Sequence, residues 1–236
     1  MAWRCLECGS GYEAHYPFCA RCWRSGSIVP QAHRARAAVD SQPGQSNARD
    51  IAKMRFRLVE QTAYPRLELG ARALLLLSGP PGSGKSSAGT RLVDSMNGPV
   101  VYLSSEEGIG PALSARLLRC GVARDSFHVL TRATVDQVVQ FVRDKRAVAL
   151  VVDSVTEAAW SARELRHLLE LAPTLDLLVA ILQVTKGGLP AGAMSLQHEA
   201  DAHVAVDGMR WQLVKSRYQD TSLSGDVLPV KQTEAA

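Results

Sequence analysis

The stretch ALLLLSGPPGSGKSS, Ala73 to Ser87, decides how the rest of the chain is read. It opens on the apolar run Ala73–Leu77, the kind of run that fills a strand covered on both faces. A turn rich in glycine and proline follows, and then a segment able to start a helix. Gly79, Gly84, Lys85 and Ser86 fit the pattern G-x4-G-K-[ST] in the strand–turn–helix setting that gives the motif its meaning. Glycines there let backbone N–H groups approach phosphate oxygens, and the helix N-terminus adds positive partial charge. The expected ATP-binding residues are therefore Gly79, Pro80, Pro81, Gly82, Ser83, Gly84, Lys85, Ser86 and Ser87. Lys85 is expected to reach the β- and γ-phosphates and Ser86 to ligate Mg²⁺. Pro80 and Pro81 stiffen the turn without removing the N–H donors of residues 82–86.

Downstream, apolar runs alternate with segments of helical period, the pattern of a mostly parallel sheet with helices on both faces, so the expected fold class is α/β. VVYLSSEE (100–107), SFHVL (126–130), AVALVVDS (147–154) and LLVAILQVT (177–185) read as strands. PALSARLLRCG (111–121), TVDQVVQFVRDK (134–145) and EAAWSARELRHLLELA (157–172) read as helices. The second is capped by Thr134 and sets Val135, Val138, Val139 and Val142 on one face. HVAVDGMRWQLVKSRYQ (203–219) reads as a hairpin turning at Asp207-Gly208.

Ligands of open α/β sheets bind at the carboxyl ends of the strands. Asp153, closing AVALVVD, is the candidate to hold Mg²⁺ through water; a plain helix cap is the alternative. Glu106, after VVYLSS, is the candidate general base, with Glu107 the neighbouring alternative. Gln183, after LLVAIL, is placed to sense the γ-phosphate with its amide. The segment TKGGLPAGAMSLQHEAD (185–201) reads as a mobile loop. Its Lys186 is the candidate to meet a DNA phosphate backbone.

The front of the chain has a different character. CLECGSGYEAHYPFCARC (5–22) holds two C-x2-C pairs ten residues apart. Each pair can aim two thiolates at one point, so Cys5, Cys8, Cys19 and Cys22 fit a closed tetrahedral zinc site. Iron is the competing occupant. So short a segment cannot bury enough surface to fold unaided, and the metal would supply its folding energy. His15 is expected at the surface, and Cys120 as a packing residue at a helix end. Residues 1–27 are thus read as a zinc ribbon, 28–65 as a linker and 66–236 as the ATPase domain. Within the linker, SQPGQSNARD (41–50) has no apolar period, and DIAKMRFRLVEQ (50–61) can form a short helix with Asp50 as its N-cap.

Residues 1–66 carry ten Lys/Arg against five acids, more net charge than the whole chain's +4. A basic front end suits an anionic partner such as nucleic acid, or a solvated arm. No apolar run approaches the roughly 20 residues that span a bilayer. The start MAWRCLECGS lacks the layout of a signal peptide. A cytoplasmic protein is expected, without a membrane partner and with reduced cysteines that bind metal.

One stretch near the end, WQLVKSRYQDTSLSG (211–225), raises a question of charge. On a strand, Lys215 and Arg217 would point to the same face. Two cations side by side call for an anion, or else guard an edge strand against aggregation.

These pieces, in this order, resemble the bacterial RadA (Sms) family of RecA-like DNA-repair ATPases. The resemblance covers CLECGSGYEAHYPFCARC and most of residues 66–230. GPPGSGKSS, VVYLSSEE, ALVVDSV and LQVTKGGLPAG…LQHEAD look like the family's P-loop, catalytic-glutamate strand, Walker B strand and DNA-loop region. VKSRYQDTSLSG resembles its hallmark Lys-Asn-Arg-Phe-Gly motif, keeping Lys215 and Arg217 and departing at Ser216, Tyr218 and Gln219. AYPRLELGARA, before the P-loop, lacks the family's glycine-rich segment. The sequence ends where the family's Lon-protease-like domain would begin.

The resemblance implies a RecA-like core behind a zinc ribbon, with Glu106 as the catalytic glutamate. It also implies a homo-oligomer, a ring of about six, in which Lys215 and Arg217 flank a neighbour's γ-phosphate. The expected function is an ATP-hydrolysing, DNA-binding protein acting on single-stranded or branched DNA in recombination and repair, with a helicase or branch-migration motor as its fullest form. The alternative is a nucleotide-gated oligomeric regulator whose zinc ribbon recruits a recombinase or another protein.

Overall fold

The computed structural model describes residues 57–184 and 193–228, together with the strand segments Trp3–Cys5, Gly11–Tyr12 and Ile28–Pro30. Contacts divide the chain into two units, Met1–Phe56 and Arg57–Ala236. In the first, β1 (Trp3–Cys5) pairs antiparallel with both β2 (Gly11–Tyr12) and β3 (Ile28–Pro30). Cys8, Cys19, Cys22, Lys186 and the expected N-cap Asp50 lie outside the described residues, and Cys5 is described in backbone only.

The second unit is an α/β core of the RecA-like kind. Its strands are β4 (Ala73–Gly79), β5 (Val100–Ser104), β6 (Phe127–Leu130), β7 (Ala149–Asp153), β8 (Leu177–Gln183), β9 (Ala202–Asp207), β10 (Arg210–Ser216) and β11 (Ser224–Asp226). They form one sheet in the order β11-β10-β9-β4-β8-β7-β5-β6. From β9 to β6 all pairings are parallel, and β10 and β11 add antiparallel edges. Because successive strand residues face opposite ways, β4 feeds two cores at once. Leu75 and Leu77 pack on one face, under α1 (Lys85–Asp94) and α2 (Pro111–Cys120). Leu74 and Leu76 pack on the other, under α3 (Val135–Lys145), α4 (Val155–Ala158), α5 (Ala162–Leu171) and α6 (Ala193–Glu199). That two-sided burial is why these strands read as unbroken apolar runs.

Local chemistry sets most helix ends. Pro111 opens α2, and Gly121 in the left-handed region closes it. Thr134 and Gln137 form a reciprocal capping box at α3, whose Val138, Val139 and Val142 are buried.

Four expectations are corrected. Residues 157–172 are two helices rather than one, because Ser161 and Glu164 form a capping box that starts α5 afresh. The strand expected over 100–107 stops at Ser104, where the chain bends toward β7 and the N–H groups of Ser105 and Glu106 turn to the Asp153 carbonyl. Of the helix expected over 50–61, the described part, Arg57–Gln61, is extended, with Leu58 bridging to Gly70. Finally, β10 is not the outermost strand, since β11 pairs with Arg210, Trp211 and Gln212.

Candidate nucleotide site

The parallel register lines up the carboxyl ends of four strands. Gly79 of β4 stands beside Gln183 of β8, and Ser104 of β5 beside Asp153 of β7. Above them lies a cleft of about 270 Å³ whose wall includes Gly82, Gly84, Lys85, Ser86, Ser87, Glu106, Glu107, Asp153 and Gln183. The P-loop therefore meets the three polar strand-end candidates in one place.

The loop's glycines answer to close neighbours. A Cβ on Gly79 would come within 2.0 Å of the Val206 carbonyl oxygen. Gly84 has φ +103 and faces the Met209 sulfur, which a Cβ would meet at 2.7 Å. Both contacts come from the β9–β10 hairpin, whose turn has positive φ at Gly208 and Met209, as a type I′ turn requires. The Met209 N–H donates to the Ser83 carbonyl at 3.0 Å, so the hairpin braces the P-loop from outside.

Lys85, 5% exposed, donates to the Pro80 carbonyl at 2.7 Å. Burial pushes its ammonium below the usual lysine range, and the charges of Asp153 and Glu106 oppose that shift. An ammonium that gains by meeting negative charge suits a phosphate ligand. Asp153 is 4% exposed and accepts a hydrogen bond from the Tyr102 hydroxyl. Burial, and next the Asp153 charge, push the Tyr102 phenol well above its ordinary value, so it stays a neutral donor. A buried carboxylate across the cleft from the Ser86 hydroxyl is a hard-oxygen donor set that fits Mg²⁺.

The two glutamates are treated differently. Glu106 Oε2 accepts from Gln183 Nε2 at 2.6 Å, which ties the expected base to the expected sensor. Glu107 is held by Arg116, with Nη2 2.9 Å from Oε2 and Nη1 3.2 Å from Oε1. Arg116 is 4% exposed, lies 3.7 Å from Asp153 and stacks 5.3 Å from the Tyr102 ring centre. Its Nε has no hydrogen-bond acceptor among the described residues.

Lys215 and Arg217 stand away from this cleft in their own chain. A bulge between Leu213 and Lys215 breaks the register of β10, and Arg217 falls just past the strand's end. Past the bulge the register runs on, Lys215 opposite His203 and the Arg217 N–H on the Asp201 carbonyl, so the two cations stay close neighbours, and the Arg217 charge helps to hold the Lys215 ammonium below its usual range, after burial. Ser216 Oγ accepts from the N–H groups of Tyr218 and Gln219, and Gln219 accepts in turn from the Glu68 N–H at 2.9 Å. Ser216, Tyr218 and Gln219 thus form a turn pinned to the segment that precedes β4.

Sequence reasoning missed Arg116, Tyr102, Met209 and Asp201. Only Arg116 left a signal, a cation on the inward stripe Leu113, Arg116, Leu117, Cys120 of α2. Among the described residues no group of three or more His, Cys, Asp or Glu is placed to hold a metal. None of the described helices is long and apolar enough to cross a membrane.

No protein-family profile matches the chain. Curated proteins similar to it include DNA repair protein RadA of Escherichia coli (strain K12), 24% identical over 241 residues that cover 88% of this chain and 52% of that protein. DNA repair protein RadA of Haemophilus influenzae is 22% identical over 237 residues, with the same coverage of 88% and 52%. That of Salmonella typhimurium is 22% identical over 241 residues, again covering 88% and 52%. The chain spans about half the length of these relatives. Over most of its own length it is similar, at low identity, to RadA-like proteins.

Proposed function

We propose that this chain is an ATP-hydrolysing, DNA-binding protein of the recombination and repair class, acting on single-stranded or branched DNA. One observation carries the nucleotide part: a P-loop lysine, a buried aspartate and a glutamate–glutamine pair converge on one cleft at the carboxyl ends of adjacent strands. Lys85 binds and neutralises the transferring phosphate, and Glu106 takes the proton of the attacking water. Gln183, released from Glu106 when nucleotide enters, reads the γ-phosphate. Ser86 and Asp153 would hold Mg²⁺, which supplies charge neutralisation to the phosphates.

The DNA part rests on the relatives, each a DNA repair protein by name. Lys186 and the basic front end are the proposed phosphate contacts. A larger hollow of about 760 Å³ on the far side of Glu106 is not, since among the described residues its wall sets Glu106, Asp136, Glu157 and Glu164 against one cation, Arg132, a balance that repels phosphate. Cys5, Cys8, Cys19 and Cys22 are proposed to bind structural zinc in a ribbon over residues 1–27, with 28–65 as linker. The antiparallel β1–β2 pair that brackets Cys8 supports that reading. The ribbon is the proposed contact for a recombinase or other protein partner. Lys215 and Arg217 are proposed to serve the nucleotide of a neighbouring copy, in a ring of about six.

The test is ATP hydrolysis by the full chain at low salt, with and without single-stranded DNA. Hydrolysis stimulated by DNA is the expected result. ATP binding with slow turnover that ignores DNA would instead favour the regulatory reading.

A further inference from the structure

A lysine ammonium has three N–H donors and no acceptor. At Lys215 all three are used. Nζ donates to the carbonyls of Gln197 at 2.7 Å, His198 at 2.9 Å and Ala200 at 2.8 Å. These oxygens close the C-terminal end of α6, where helix carbonyls lack an intrahelical partner and the helix dipole favours a cation. The bulge in β10 is what turns the side chain there.

Arg217 is held differently. Its N–H donates to the Asp201 carbonyl at 3.0 Å, and one Nη lies 3.3 Å from Asp201 Oδ1. Its side chain is nevertheless 53% exposed. A guanidinium has five donors, so a single contact to Asp201 leaves others facing outward. Asp201 is itself firmly seated. Its carboxylate takes the Leu74 N–H at 2.8 Å and the Arg166 guanidinium at 3.0 and 3.1 Å.

We infer that the pair divides its work: Lys215 is a positioning residue that caps α6 within its own chain, and Arg217 alone reaches the neighbour's phosphate. Ala200, the last carbonyl on the ammonium, directly precedes Asp201, the seat of Arg217. Releasing the cap frees the backbone at Ala200, next to the Asp201 carbonyl that takes the Arg217 N–H, and so loosens the backbone of the arginine even though the Asp201 carboxylate stays seated. An ammonium already shared among three carbonyls would have to give one up to take a phosphate oxygen. The inference rests on the proposed trans role of the pair and narrows it.

Lys215→Met keeps the length of the stem and removes the donors. Two readouts are needed on the full chain: amide hydrogen exchange without nucleotide, and ATP hydrolysis with single-stranded DNA. Exchange over residues 196–201 and at Arg217 is expected to rise about tenfold, the scale of a lost helix-end cation. Turnover is expected to fall while the KM for ATP holds, since the variant's own P-loop is intact. Arg217→Ala is expected to lose turnover and leave exchange over 196–201 unchanged. Lys215→Gln, with two N–H donors in place of three, should fall between Lys215→Met and the parent and serves if the methionine variant does not fold. If turnover is lost while exchange without nucleotide stays unchanged, the ammonium acts on phosphate directly and the inference is overturned. Raised exchange with normal turnover overturns it as well, as does no change in either. Normal hydrolysis by Arg217→Ala would sink the trans reading itself, a separate result.

Discussion

At positions 106 and 107 two glutamates stand side by side in different surroundings. Arg116 ion-pairs with Glu107, whereas Glu106 meets only the neutral amide of Gln183 among the described residues. Glu106→Gln should bind ATP and lose turnover by on the order of 100-fold or more, while Glu107→Gln should keep most of it. A steady-state assay beside a nucleotide-binding measurement checks both, and the reverse outcome would make Glu107 the base. Arg116→Gln removes a buried cation 3.7 Å from the buried carboxylate of Asp153 and should cost about 3 kcal/mol in a urea titration. The neighbouring glutamates and the motif residues were legible because their chemistry is written in their spacing. The Arg116 clamp was not, because it depends on which strand end α2 comes to face. His203 adds a pH dependence. Burial first, and then Lys215, hold its imidazole below the ordinary value of 6.5, beside Ser78 Oγ at 2.7 Å. The unfolded chain then binds the extra proton more readily, so stability is full above about pH 6.5 and falls as pH drops toward the folded value. His203→Gln should flatten that slope in urea titrations run at a series of pH values.

Among the elements, the strands of the sheet core were readable to within about three residues, since their buried runs are unbroken and apolar, and the errors fell mostly at the carboxyl ends, where polar residues continue past the last pairing. Helix limits were less so. The break between α4 and α5 was present in the sequence as Ser-x-x-Glu at 161–164, yet a continuous helical period across it hid the restart. Ser161→Ala should therefore cost about 1 kcal/mol, the usual worth of a helix N-cap, as a lowered urea midpoint with unchanged hydrolysis per folded molecule. The brace of the P-loop by the β9–β10 hairpin was not legible, because residues 79–84 and 206–209 are far apart in sequence and the glycines that admit the contact are already called for by the phosphate motif. It has a sharp consequence. With only 2.0 Å between a Cβ on Gly79 and the Val206 carbonyl, Gly79→Ala must displace either loop or hairpin and should lose most ATP affinity by isothermal titration.

For the whole molecule, charge and cysteines divide the labour along the chain. The surplus of cations over residues 1–66 predicts DNA binding that weakens steeply with salt, as phosphate contacts release counterions. The four cysteines predict about one zinc per chain by elemental analysis of reduced protein, and a metal-free preparation that still folds its front unit would refute the ribbon. The central claim is that one copy completes the catalytic site of the next. Lys85 lies in the cleft and Arg217 stands away from it within the chain, so the two can be disabled in separate copies. Lys85→Ala and Arg217→Ala should each be inactive, the latter by on the order of 1,000-fold. The most direct measurement co-expresses the two variants and assays the mixed assembly for ATP hydrolysis. Recovery of turnover well above either variant alone is the predicted result, because some interfaces then pair an intact P-loop with an intact Arg217. A mixed assembly as inactive as its parts, with both variants shown to be present, would contradict a site shared between copies.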